Sequence, residues 1–184
     1  MKRVVWLKEL GLIHDFSVKP LATGGNIYQV RVQKTKSSAE VLITDVGFGV
    51  SQILPVLTLL YYVPEGSMVI LEQPEIHLHP SVQSGLADVL IDAVKNRKLQ
   101  IILESHSEHL LRRIQRRIAD ETLTAQDTAL YFCAPGDNGS TIDSLEVDIF
   151  GNIKNWPKDF FGDEFNEMAA MTRSAMQRKK GQQI

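Results

Sequence analysis

Two apolar runs constrain the fold of this chain more than any other feature. Residues 68–71 read MVIL and residues 99–104 read LQIILE, each short enough to be a buried strand. Between them, residues 80–96 form an amphipathic helix with Val82, Leu86, Val89, Leu90 and Val94 on one stripe. Strand, helix and strand at this spacing make a βαβ unit, which requires a parallel pair with a right-handed crossover. The fold class that follows is α/β, a mostly parallel sheet with flanking helices.

The remaining elements fit around that unit. Residues 4–10 predict a short helix that Gly11 stops, and residues 26–33 alternate as a half-exposed strand does, after a Gly24–Gly25 turn. EVLIT, at residues 40–44, reads as a second short strand. Ser51 is placed to cap a helix over residues 52–62, and Ser107 opens another that runs to about residue 118. TALYFCAP and STIDSLEVD read as two further strands joined by the turn GDNG. From residue 149 the sequence turns rich in glycine, proline and aromatics and ends in a helix, which divides the chain into segments 1–148 and 149–184.

Composition excludes some classes. The 184 residues carry a net charge of −2, so no global field favours nucleic acid or an acidic membrane. The longest apolar run, near residues 50–63, is interrupted by Ser51, Gln52 and Pro55 and is too short to span a bilayer. No membrane partner is expected. With no N-terminal signal and a single cysteine, Cys133, in an apolar run, the reading is a cytoplasmic protein with Cys133 in its core.

Three places can carry chemistry. Ligands of open parallel sheets bind at the carboxyl ends of the strands. One such end presents Glu72 and Gln73, the other Glu104, Ser105 and His106. The third place is DVGFGVSQ, Asp45 to Gln52, where Gly47 and Gly49 bare the backbone before a helix start that favours an anion. Each has a plainer reading: a turn, a strand-end acid, a helix-start residue. Their joint order is the distinctive observation.

In that order they resemble the C-terminal half of an ABC-type ATPase head of the SMC/RecF/OLD-like class. DVGFGVSQ resembles the signature motif, MVILEQPEIHLHP the Walker B strand with its D-loop, and ILESHSEHLL the switch-histidine loop. The nearest branch is bacterial AAA-type ATPases with a C-terminal extension of unknown function, which residues 148–179 resemble. The resemblance implies that Glu72 holds Mg²⁺, that His106 contacts the γ-phosphate of ATP, and that Asp45, Gly47, Gly49, Ser51 and His79 belong to the nucleotide contacts. Gln73 stands where many relatives carry the glutamate that polarises the attacking water. An amide orients water but takes no proton, and Glu75 is a substitute. His79 replaces the usual D-loop aspartate. The resemblance further implies closure of a homodimer around ATP and work on DNA or in phage defence, often beside a nuclease.

One part of that machine is absent from the sequence. G-x-x-x-x-G-K-[ST] occurs nowhere in the 184 residues. The expectation is a fragment of a longer protein, or one product of a split or truncated gene, that binds ATP poorly unless a P-loop-containing partner chain or N-terminal half completes it. Two other readings stay open. Four histidines, His77, His79, His106 and His109, with Glu72, Glu75 and Glu104, suit a metal-dependent hydrolase, provided that a strand puts His77 and His79 on one face. A non-catalytic interaction module would use the basic run Arg112, Arg113, Arg116 and Arg117, or the terminal stripe Phe165, Met168, Ala169, Thr172, Ala175 and Met176.

Overall fold

A computed structural model describes residues 2–22, 24–136, 139–157, 160 and 170–174. The chain divides into two compact units, Met1–Leu123 and Thr124–Ile184. The change in composition at residues 148/149 falls inside the second unit.

The first unit opens with α1 (Lys2–Glu9), ended by Gly11 at φ +68°. β1 (Asp15–Pro20) and β2 (Tyr28–Gln33) pair antiparallel, from Asp15 opposite Gln33 to Pro20 opposite Tyr28. β3 is only Val41–Leu42, on the other side of β2. The strand expected through residue 44 stops there because Ile43–Asp45 winds into a 3₁₀ turn, with Val46 N–H donating to the Ile43 carbonyl. β1 was not expected. It lacks alternation and is mostly exposed, as an edge strand ending in proline is.

α2 (Phe48–Tyr62) starts four residues before the expected position. Gly47, not Ser51, is the N-cap, and Ser51 lies in the helix's first turns. Pro55 sits in the helix interior, which costs about 3 kcal/mol. Ile53, Val56, Leu57 and Leu60 are buried around it, each contributing about 1.5–3 kcal/mol. Burial therefore exceeds the proline cost and the helix continues.

β4 (Met68–Glu72) and β5 (Gln100–Glu104) pair parallel, joined through α3 (Pro80–Arg97), as the βαβ reading requires. α3 has proline at its first position and ends at Lys98 in the left-handed region, with Lys95 and Arg97 in its last turn. Arg97 donates to the Leu60 and Val63 carbonyls and so satisfies the end of α2. Trp6 donates to the Tyr61 hydroxyl, which donates to Asp92, so one chain of bonds joins α1, α2 and α3. Burial first, then the Asp92 bond, hold the Tyr61 hydroxyl far above the usual tyrosine range, and it remains a donor. α4 (Glu108–Ala119) is capped by Ser107, whose hydroxyl accepts from Leu110 N–H.

Val69 and Leu71 of β4 join the buried cluster that holds Leu57, Leu60 and Leu86. The opposite face of the same two strands is open: Met68 is 58% exposed, Ile70 64% and Ile102 51%. Parallel strands are ordinarily covered on both faces. The protein is thus α/β with a small parallel sheet; among the described residues the other two sheets are antiparallel, and only β4 and β5 are paired strands joined by a helical crossover.

In the second unit β6 (Leu130–Gly136) and β7 (Gly139–Leu145) form the expected hairpin, from Leu130 opposite Leu145 to Gly136 opposite Gly139. Cys133 is exposed and is not a core residue. β6 alternates, and Cys133 falls with Tyr131 on the solvent side while Leu130, Phe132 and Ala134 are half-buried. The Phe160 ring lies 5.2 Å from Phe132 and 5.0 Å from Trp156. Asp148 folds the next turn by accepting from Phe150 and Asn152 N–H, and the Asn152 bond is the main cause that lowers its carboxyl. Of the terminal stripe, residues 170–174 are helical and Thr172 is exposed; Phe165, Met168, Ala169, Ala175 and Met176 lie outside the described residues.

Candidate nucleotide site

The register of β4 and β5 sets Glu72 opposite Glu104 at the carboxyl ends of the strands. Gln73 leaves β4 at φ +44°. Its N–H donates to the Glu104 carbonyl at 2.9 Å, and its side-chain amide donates to Glu104 Oε1 at 3.2 Å. His106 Nε2 lies 4.0 Å from the same oxygen, and its side chain is 79% exposed. Glu72, Gln73, Glu104 and His106 are therefore one group on one edge. Glu104 was read from the sequence as a strand-end group but was given no role at the site. The signal for it was present: two strands of a βαβ unit that both end in glutamate bring those acids side by side.

Glu75 occupies a different environment. It is 6% exposed, and its Oε1 accepts from His106 N–H at 2.9 Å. Its Oε2 is buried without a hydrogen-bond partner among the described residues. A second tie holds the same loop: Ser107 Oγ donates to Gln83 Oε1 at 2.6 Å, and Gln83 Nε2 donates to the Leu78 carbonyl at 2.9 Å. The loop at His106 and Ser107 is thus fastened to the segment after β4, while the His106 ring is exposed beside Glu104.

The histidine pattern does not survive the fold. His77 lies in a turn at φ +63°, not on a strand, so alternation cannot align it with His79. His79 is the N-cap of α3, its Nδ1 accepting from Ser81 N–H at 3.3 Å. No group of three or more His, Cys, Asp or Glu that could hold a metal forms among the described residues. The arginine run is largely engaged within the fold. Arg113 and Arg117 both donate to Asp88, at 2.5 and 2.7 Å, Arg117 also reaches Asp120, and Arg112 pairs with Glu108.

Asp45, Gly47, Gly49 and Ser51 form a second group, at the start of α2. No side chain caps this helix at Gly47, and no acid lies in its first turn. Its amide groups therefore present partial positive charge uncancelled by a nearby carboxylate of the helix. A cavity of about 370 Å³ opens there, lined by Gly47, Gly49 and Val50 with Leu12, Lys34 and Thr35.

Residues 12–111, more than half of the chain, match the AAA ATPase domain. The chain belongs to the AAA ATPase domain family. Residues 123–171 match a protein of unknown function, DUF3696, and this match begins where the second compact unit does. Among curated proteins nothing matches. Solved structures share the fold at low identity. A structure from work on ATP-driven dimerization and DNA-stimulated activation of SMC ATPases aligns with TM-score 0.58 and 12% identity, over 78% of this chain and 81% of that one. The Smc head bound to the C-terminal winged-helix domain of ScpA aligns with TM-score 0.57 and 11% identity, over 79% and 41%. An Smc head with an extended coiled coil, bound to the C-terminal domain of ScpA and derived from Pyrococcus furiosus, aligns with TM-score 0.54 and 10% identity, over 78% and 33%. The family member thus has the fold of an ABC-type SMC ATPase head, and it spans less than half the length of the last two. No helix among the described residues is long and apolar enough to cross a membrane.

Proposed function

We propose that this chain is the C-terminal lobe of an ATP-hydrolysing head that closes with a second head around ATP. The observation that carries the proposal is the in-register β4–β5 pair, which gathers Glu72, Gln73, Glu104 and His106 on one edge. Such a set suits Mg²⁺ that arrives with a nucleotide. Mg²⁺ binds through one or two carboxylates and completes its shell with phosphate oxygens and water. One strand-end carboxylate, Glu72, with the rest of the shell left to phosphate and water, fits that pattern.

In this reading Glu72 holds Mg²⁺, which when bound neutralises charge on the phosphates. His106 meets the γ-phosphate, and Gln73 orients the water that attacks it. Asp45, Gly47, Gly49 and Ser51 face the ATP of the opposing head, where the bare start of α2 favours an anion. His79 holds the start of α3, at the D-loop position. A P-loop-bearing segment, on the same polypeptide or on a partner chain, cradles the phosphates. The open face of Met68, Ile70 and Ile102 is where it packs. Residues 1–148 form the ATPase lobe and 149–184 an appended segment. The role of the cycle is shape change coupled to DNA or phage defence in the cytoplasm, with a nuclease as partner; the likeness to heads that DNA stimulates supports the DNA link alone.

Ile70→Arg tests the packing claim. Ile70 is exposed here, so the isolated chain should keep its stability within about 0.5 kcal/mol. Covered by the P-loop segment, the guanidinium would be buried without a partner. Association of the chain with that segment, followed by calorimetry, should weaken at least about tenfold, equivalent to 1.4 kcal/mol. Unchanged association would mean that the segment docks elsewhere.

A further inference from the structure

An amide follows Glu72 where a second acid is the familiar choice, and the geometry supplies a reason. The Gln73 amide donates to Glu104 Oε1 at 3.2 Å. A glutamate at position 73 would set two carboxylates at that distance, with Glu72 beside them in the ladder. Like charges so placed disfavour one another. An amide at 73 instead holds the acid that the neighbouring strand provides.

We propose that Glu104 is the carboxylate that activates the attacking water, with Gln73 positioning it from across the β4–β5 ends. This rests on the ATPase reading and adds a catalytic residue to it. Glu104 is 59% exposed, and a carboxylate has about four acceptor positions, of which the Gln73 amide occupies one. A water can therefore reach it. The His106 ring, 4.0 Å from the same oxygen, sets the side of Glu104 on which the γ-phosphate would lie. Glu75 is the poorer candidate: it is buried, and one of its oxygens already holds His106 N–H. It is a positioning residue that fastens the switch loop.

The step balances as hydrolysis. The water oxygen forms a bond to the γ-phosphorus, and the bond from that phosphorus to the β–γ bridging oxygen breaks. ADP leaves with those electrons. The water proton passes to Glu104 and from there to solvent.

The test uses the P-loop-completed protein, with a fluorescent ATP analogue for binding, phosphate release for turnover and light scattering for the ATP-bound dimer. Glu104→Gln should bind the analogue within about twofold of the parent and release phosphate on the order of 100-fold more slowly. Its ATP-bound dimer should persist. Gln73→Glu should also slow release, because it sets an acid against Glu104. Glu104→Gln that hydrolyses at the parental rate, or Gln73→Glu that hydrolyses faster than the parent, overturns the inference and leaves the ATPase reading in place. A parent protein that binds no ATP overturns the ATPase reading and this inference with it.

Discussion

Gly49→Asp is expected to abolish ATP-induced association of the P-loop-completed protein while leaving its fold intact. Gly49 is the second residue of α2, and a Cβ there meets only Leu12 Cδ2, at 3.4 Å, an ordinary contact. Its φ lies outside the left-handed region, so an L residue is not strained. An aspartate in the first turn of a helix adds about 0.3–1 kcal/mol of stability through the helix dipole. The melting temperature should therefore hold or rise slightly. On closure the carboxylate would face a γ-phosphate. Two unit charges about 4 Å apart at an effective dielectric near 20 repel by about 4 kcal/mol, which is more than 100-fold in affinity. Light scattering with and without ATP reads the result, and a variant that dimerises like the parent would reduce DVGFG to a turn. Gly47 cannot serve this purpose. Its φ of +28° makes any side chain strained, so a substitution there would lower stability as well.

Leu86→Ala carries the largest expected cost to stability. Leu86 is fully buried on α3, in the cluster shared with Ile53, Leu57 and Leu60 of α2. Truncating such a leucine costs about 2–5 kcal/mol, from lost transfer energy and the cavity left behind. At roughly 2–4 °C per kcal/mol for a chain of this size, thermal melting should fall by about 10 °C. Val94→Ala should cost much less. Val94 belongs to the predicted stripe but is only half-buried, since Ala87, Ile91 and Ala93 complete the buried face instead. Equal losses at the two positions would contradict this assignment of the α3 faces.

The βαβ core was legible because burial writes itself into periodicity. MVIL, the α3 stripe and QIILE appear as elements at nearly the expected bounds, and α4 starts within one residue of Ser107, where it was expected. Elements held by weak or non-local forces were not legible. β1 is an exposed edge whose partner, β2, determines it. The start of α2 depends on Gly47, whose dihedral angles no pattern reports. Cys133 was misjudged because an apolar run in a two-stranded hairpin still has a solvent side. At the site, Glu72, Gln73 and His106 were readable as strand-end residues. Glu104 was readable in the same way, whereas its specific bond to Gln73 depends on register, and Glu75 gave no hint of its burial, which follows from the turn at Gln73.

The central claim is that the β4–β5 edge is half of a nucleotide site that a P-loop completes. Calorimetric titration with ATP and Mg²⁺ tests it most directly, on the chain alone and on the P-loop-completed protein. The account predicts no saturable binding to the chain alone. It predicts one-to-one Mg²⁺-dependent binding to the completed protein, weakened by Glu72→Gln. Tight stoichiometric binding to the chain alone, or none to the completed protein, would contradict it.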